Sequence, residues 1–210
     1  MARSEDYRLD NVPVSFSDNL FVARANEEGG KPKYGATFLL DKARDNADLD
    51  KLIVQAAEAE WPGKAMQMFK DGLIKSPYLD GDGPQAINKK TSERYKGYAG
   101  RKFIRCTSGA DHKPQVVDRK VVPIVTPAEI PSGSIVNAYV HAFTWTNDKG
   151  GKGVTFGVSM VQLVKKATGD EVLGGGGGAP DPTKHFEKLA DEGAAPDSTK
   201  TGKGASGLFG

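Results

Sequence analysis

A mainly β domain, carrying one or two inserted helices and a long basic loop, is the fold this sequence predicts. Three features predict it: strand alternation at 33–40, 134–146 and 153–166, one stretch of helical period at 46–61, and an aperiodic, glycine-bearing run at 71–100.

The first apolar stretch, Val12 to Ala25, holds Val14, Phe16, Leu20, Phe21 and Val22. Val12, Val14 and Phe16 alternate with Pro13 and Ser15 at strand period, and Pro13 is expected at a sheet edge or a strand start because it lacks an N–H to donate. Glu27-Glu28-Gly29-Gly30 reads as a turn and Lys33 to Leu40 as the returning strand of a hairpin.

Between Asn46 and Trp61, Leu49, Leu52, Ile53, Ala56 and Ala57 fall on one helical face, with Asn46 or Asp48 at the start and Pro62-Gly63 as the stop. A shorter helix at about Lys64 to Phe69 puts Ala65, Met66 and Phe69 on one side. Both helices read as structural, since apolar stripes at this spacing bury into a core.

After the irregular run, strand signals resume at Arg101 to Thr107 and at Pro114 to Val122. In Ser134 to Thr146 one parity carries Ile135, Asn137, Tyr139, His141, Phe143 and Trp145, the other Val136, Ala138, Val140 and Ala142. Gly153 to Lys166 alternates likewise, and Asn147 to Lys152 joins the two as a basic-flanked hairpin loop. This order of elements points to an OB-fold, a five-stranded Greek-key barrel, over residues 1–173. Five glycines, Gly174 to Gly178, open a flexible Gly-rich C-terminal tail at 174–210 in which only 184–190 has helix-forming character.

The composition, 38% hydrophobic and 27% charged, is that of a folded chain. A single cysteine, Cys106, rules out an internal disulfide or a Cys-based zinc cluster and suits a reducing compartment. The polar N-terminus lacks a signal-peptide core, and no apolar run reaches the roughly 18 residues of a membrane span. A cytoplasmic location is expected.

The net charge is only +2, so the distribution of charge matters more than its sum. From Lys89 to Arg105 seven cations (Lys89, Lys90, Arg94, Lys96, Arg101, Lys102 and Arg105) face one acid, Glu93; this segment carries +6 and the rest of the chain −4. Tyr95, Tyr98 and Phe103 are interleaved with them. Cations replace the counterions condensed on phosphates, and flat rings stack on unpaired bases of any sequence, so the mixture suits a single strand. Gly97 and Gly100 are expected to let the backbone approach a phosphate closely.

Lys31, Lys33 and Tyr34 on the second strand, and Trp145 with Lys149 and Lys152 at the last hairpin, extend the candidate surface. Alternate aromatics in a barrel strand equally serve as core; Phe143 and Phe156 are read that way and Trp145 as exposed.

The segments YKGYAGRKFIRCTSG (95–109) and SIVNAYVHAFTWTNDKGGKGVTFGVSMVQLVKK (134–166) resemble a family of tailed-phage single-stranded DNA-binding proteins that includes the one from the enterobacterial phage Enc34. The resemblance runs over about residues 8 to 173. It implies an OB-fold core, a positively charged groove for single strands and a role in phage DNA replication or recombination. The basic and aromatic residues of 89–105 and the strand bearing Trp145 are its implied contacts. Many single-strand binders end in an acidic tail with a hydrophobic tip that docks replication partners. Here the tip is Leu208-Phe209-Gly210, but Lys200 and Lys203 precede it and the tail sums to −1. The partners expected are therefore single-stranded DNA first, phage or host replication proteins through the tail, and further copies along the strand, with no membrane.

Other constellations fail on spacing. Asp80-Gly81-Asp82-Gly83 lacks the glutamate an EF-hand needs at its twelfth position, where Thr91 stands. Cys106 and His112 are two ligands, too few for zinc, and GGKG at 150–153 is no phosphate-binding loop. No cofactor, metal site or catalytic group is read from the chain. A nuclease built on Asp80 and Asp82, a virion or scaffolding protein, and an RNA-binding module are the competing functions. Stacking and phosphate contacts do not distinguish DNA from RNA.

Overall fold

The computed structural model describes residues 1–25 and 30–173, so the turn expected at 27–30, apart from Gly30, and the expected tail at 174–210, including Leu208 and Phe209, lie outside the described residues. Seven strands form one sheet: β1 (Tyr7–Ser15), β2 (Lys33–Asp41), β3 (Tyr78–Asp80), β4 (Arg101–Gly109), β5 (Gln115–Val117), β6 (Ile135–Thr146) and β7 (Lys152–Lys165). Helices α1 (Ala47–Glu60) and α2 (Ala65–Lys70) follow β2. The strand order is β3-β4-β2-β1-β6-β7-β5, and β4 also pairs with β7 in parallel at Cys106–Phe156 and Thr107–Gly157. Hydrogen-bonded neighbours therefore trace a ring of five strands, β4-β2-β1-β6-β7 and back to β4.

β1 shows why the first strand was hard to delimit. It begins at Tyr7 rather than Val12, and its alternation is broken by an extra residue between Leu9 and Val12, where Asn11 takes a positive φ of 53°. The bulge returns Leu9, Val12 and Val14 to the same buried side. The expected continuation to Ala25 ends at Ser15, because Phe16 turns into the left-handed region (φ 56°) and a 3-10 turn, Ser17–Leu20, follows. Pro13 is corrected as well: β1 lies between β6 and β2, and Pro13 stands where the pairing passes from β6, at Ile135, to β2, which begins at Val14–Phe38. The strand expected at 114–122 shrinks to Gln115–Val117, because the Asp118 carboxylate accepts the N–H groups of Lys120 and Val122 and closes a turn.

One face of the ring holds the main core. Ala36, Phe38 and Leu40 of β2, Ile104 and Cys106 of β4, Val136, Ala138, Val140 and Ala142 of β6, and Val154, Phe156 and Val158 of β7 meet there, joined by Leu49, Leu52, Ile53, Ala56 and Ala57 from α1. Phe156 is core, as expected; Phe143 is not, and lies half-buried on the opposite parity of β6. Period two then dictates what β2 and β4 show on their other face: Thr37, Leu39, Phe103 and Arg105. Leu39 and Phe103 bury beneath the loop that precedes β4, packing with Ala86 and Tyr98 into a second, smaller core. The long aperiodic segment thus folds back over the outer face of β2 and β4. No helix among the described residues is long and apolar enough to cross a membrane.

Candidate nucleic-acid interface

The outer face of β2 and β4 carries a groove of about 530 Å³. Its floor comes from Lys33, Gly35 and Thr37 of β2 and Arg105 and Thr107 of β4, which sit opposite one another as Thr37–Arg105 and Gly35–Thr107. One wall is the turn after β1, with Phe16, Asn19 and Arg24; the other is the folded-back loop, with Gln85, Lys89, Tyr95 and Tyr98. Among the described residues four cations line it (Arg24, Lys33, Lys89 and Arg105), and no carboxylate does. Two other cavities contain acids: one of about 380 Å³ holds Asp170 and Glu171, and one of about 1100 Å³ beside β6 and β7 holds Asp6 and Asp111.

An aromatic chain crosses the groove. The rings of Phe16 and Tyr95 meet edge to face at 5.1 Å and those of Tyr98 and Phe103 at 5.0 Å, while Tyr95 and Tyr98 are tilted with their centroids 5.5 Å apart. Phe16 and Tyr95 are half-buried, whereas Tyr98 and Phe103 are each 1% exposed. The expectation of Tyr98 and Phe103 as open stacking faces is therefore corrected: they are the packed base on which Tyr95 and Phe16 stand. Arg105 reaches over this base, its guanidinium carbon 5.6 Å from the Phe103 ring and its Nη2 donating to the Gln85 carbonyl at 3.0 Å.

The remaining expected cations divide by what already holds them. Arg94 donates to the Asp82 carbonyl at 3.1 Å and pairs with its carboxylate at 3.7 Å, and Arg101 pairs with Asp41 at 3.4 Å. The Lys96 ammonium donates to the carbonyls of Asp170 (2.6 Å) and Val172 (3.2 Å). These three fasten the loop rather than line the groove. Gly97 belongs to the same fastening: its φ is +82°, and a Cβ there would stand 2.6 Å from Leu173 Cδ2, so the space it clears is filled by Leu173 and not by a phosphate. Lys31, Lys90 and Lys102 are exposed and lie outside the groove lining. Tyr34 lines the groove from the end of β2, on the parity of Ala36 and Phe38.

Trp145, Lys149 and Lys152 are not brought to the groove. Trp145 is half-buried, lies against Gly153 opposite it on β7, and has the Lys75 ammonium 5.9 Å from its ring. Asp80 and Asp82 are claimed by Lys42 at 3.3 Å and 2.8 Å, and Asp82 also accepts the Gly100 N–H at 3.1 Å. The Asp82 N–H first and then Lys42 lower the Asp80 pKa; for Asp82, Lys42 leads and the Gly100 N–H follows. This pair staples the loop to the end of β2. Sequence reasoning missed Phe16, Asn19, Arg24 and Gln85. Phe16 lay hidden inside an apparent strand, and Arg24 is a lone cation whose bridge to Lys33 (backbone N–O 2.9 and 3.0 Å) no local pattern announces.

The fold is similar to solved phage proteins. A single-stranded DNA-binding protein from bacteriophage Enc34, in complex with single-stranded DNA, aligns with a TM-score of 0.58 at 20% identity over 78% of this chain and 88% of that one. A second structure of the same phage protein gives 0.52 at 20% identity, over 87% and 90%. The gp2.5 single-stranded DNA-binding protein of bacteriophage T7 gives 0.50 at 14% identity, over 92% and 99%. No curated relative matches the chain. The family model of the single-stranded DNA-binding protein of Enterobacter phage Enc34 matches residues 7–195, and the chain belongs to that family.

Proposed function

We propose that this protein binds single-stranded DNA without regard to sequence, in the groove between the turn after β1 and the folded-back loop, and that it serves phage DNA replication and recombination in the host cytoplasm. One observation carries the reading: among the described residues four cations and no carboxylate line a groove bordered by two half-buried rings, Phe16 and Tyr95. Arg24, Lys33, Lys89 and Arg105 neutralise consecutive phosphates, and the rings take unpaired bases at roughly 1–3 kcal/mol per stacked base. The Enc34 protein was solved in complex with single-stranded DNA, which supports the same partner here.

The ring β4-β2-β1-β6-β7, closed by one parallel pairing, supports an OB-fold core. On that reading residues 1–173 form the binding domain, 174–210 form a flexible tail that meets replication proteins, and the activity is binding without catalysis.

The test is anisotropy of a labelled dT oligomer titrated at several salt concentrations, with dA, poly-rU and duplex DNA as competitors. Steep salt dependence, similar affinity for dT and dA, and weak competition by duplex are expected. Undetectable binding at low salt overturns the reading, and stronger competition by poly-rU reassigns the groove to RNA.

A further inference from the structure

Tyr98 presents a problem that the groove's cations and rings do not solve. The residue is 1% exposed and lines the groove, yet its hydroxyl has no hydrogen-bond partner among the described residues. The hydroxyl of Ser15, also buried, is likewise unpartnered. The Tyr98 oxygen lies beside the hydroxyls of Ser15 and Thr37 without a well-formed bond to either, and near the Arg105 guanidinium. A buried polar group left unpaired is destabilising, and native chains satisfy more than nine in ten of them. Directly after Ser15, Phe16 holds a left-handed backbone (φ 56°, ψ 37°), which is a steric outlier for a large residue. Unsatisfied hydroxyls and a strained backbone thus coincide under one end of the groove, and such coincidence marks ligand sites.

Resting on the proposed single-strand function, we infer that the Tyr98 hydroxyl is a hydrogen-bond donor to the bound strand, completing with an acceptor oxygen of the nucleotide the bond it lacks in the free protein. The half-buried rings packed over this small core include Phe16 and Tyr95, and Phe16 is the one with a left-handed backbone. As a base seats against these rings, Phe16 shifts, and the hydroxyl meets either a pyrimidine carbonyl or a phosphate oxygen held by Arg105. The strand then gains a bond without the protein giving one up, so the affinity gain is not offset by a lost internal partner.

Tyr98→Phe separates this role from packing, because it removes one oxygen and keeps the ring that Tyr95 and Phe103 rest on. The expected result is an unchanged or raised Tm together with dT affinity reduced about three- to tenfold. Repeating the titration with an abasic oligomer of equal length identifies the acceptor: a loss confined to dT assigns a base carbonyl, and a loss on both assigns a phosphate oxygen. Affinity equal to wild type within about twofold, or a clearly lowered Tm that reveals an internal partner for the hydroxyl, overturns the inference. A parallel Lys33→Ala/Lys89→Ala variant keeps the two readings apart. If it weakens binding while Tyr98→Phe does not, only the hydroxyl's role is lost; if neither variant weakens binding, the groove reading is lost with it.

Discussion

Removing both Lys33 and Lys89 tests the electrostatics of the groove with a magnitude that follows from their positions. Both are exposed, both line the groove, and among the described lining residues no carboxylate stands to neutralise them. Each ammonium that meets a phosphate releases about 0.7 of a counterion from a single strand, so Lys33→Ala/Lys89→Ala lowers the slope of log K against log salt by about 1.4. At about 0.1 M salt each lost contact costs about fivefold, and the pair about 25-fold, while near 1 M salt the two proteins converge. The assay is anisotropy of a labelled dT oligomer across that salt range, with circular dichroism to check the fold. Lys120→Ala/Lys149→Ala removes the same charge from exposed turns outside the groove and keeps the wild-type slope. Equal loss of slope in both variants refutes the reasoning, because it makes the attraction a property of total charge and not of the groove.

Two further outcomes follow from the same geometry. Tyr95→Ala and Phe16→Ala each weaken dT binding by about 1–3 kcal/mol at every base sequence, whereas Trp145→Ala, on a ring that lies against Gly153 away from the groove, leaves it unchanged; titration of dT, dA and dC oligomers checks all three. The Cys106 thiol is buried at the β4–β7 pairing and its pKa is pushed well above the ordinary cysteine value by burial, so it stays unreactive to a disulfide reagent at about pH 8 until denaturant exposes it. Rapid labelling of the native protein contradicts that.

Much of the fold was legible because burial on one face imposes a period. The helical period read over Asn46 to Trp61 matched α1 within a residue at either end, and the alternation in β6 and β7 separated Val136, Ala138 and Val140 from Tyr139 and His141 as the structure does. What could not be read was whatever depends on a partner distant in sequence. The bulge at Asp10-Asn11 breaks the alternation of β1, and only its pairing with β6 shows that Leu9 and Val12 share a side. The parallel contact of β4 with β7 joins Cys106 to Phe156, fifty positions on, with no local signal.

The site divides along the same line. Charge sign and aromatic content marked the segment 89–105, and Lys89, Tyr95 and Arg105 do line the groove. Composition could not tell a ring that faces solvent from one that fills a small core, which is why Tyr98 and Phe103 looked like Tyr95. Nor could it tell a free ammonium from Lys96, whose partners are backbone carbonyls near residue 171. Phe16 and Arg24 enter only because the β1–β2 pairing folds their turn against that loop.

The central claim is one of place: the strand lies between the turn after β1 and the loop before β4. Photocrosslinking of a 5-iodo-dU oligomer, followed by mass mapping of the modified peptides, addresses it without altering the protein. The account predicts adducts at Phe16 and Tyr95, within the peptides that span 15–37 and 85–107. Adducts confined to Tyr139, Phe143 and Trp145 on the outward face of β6 contradict it.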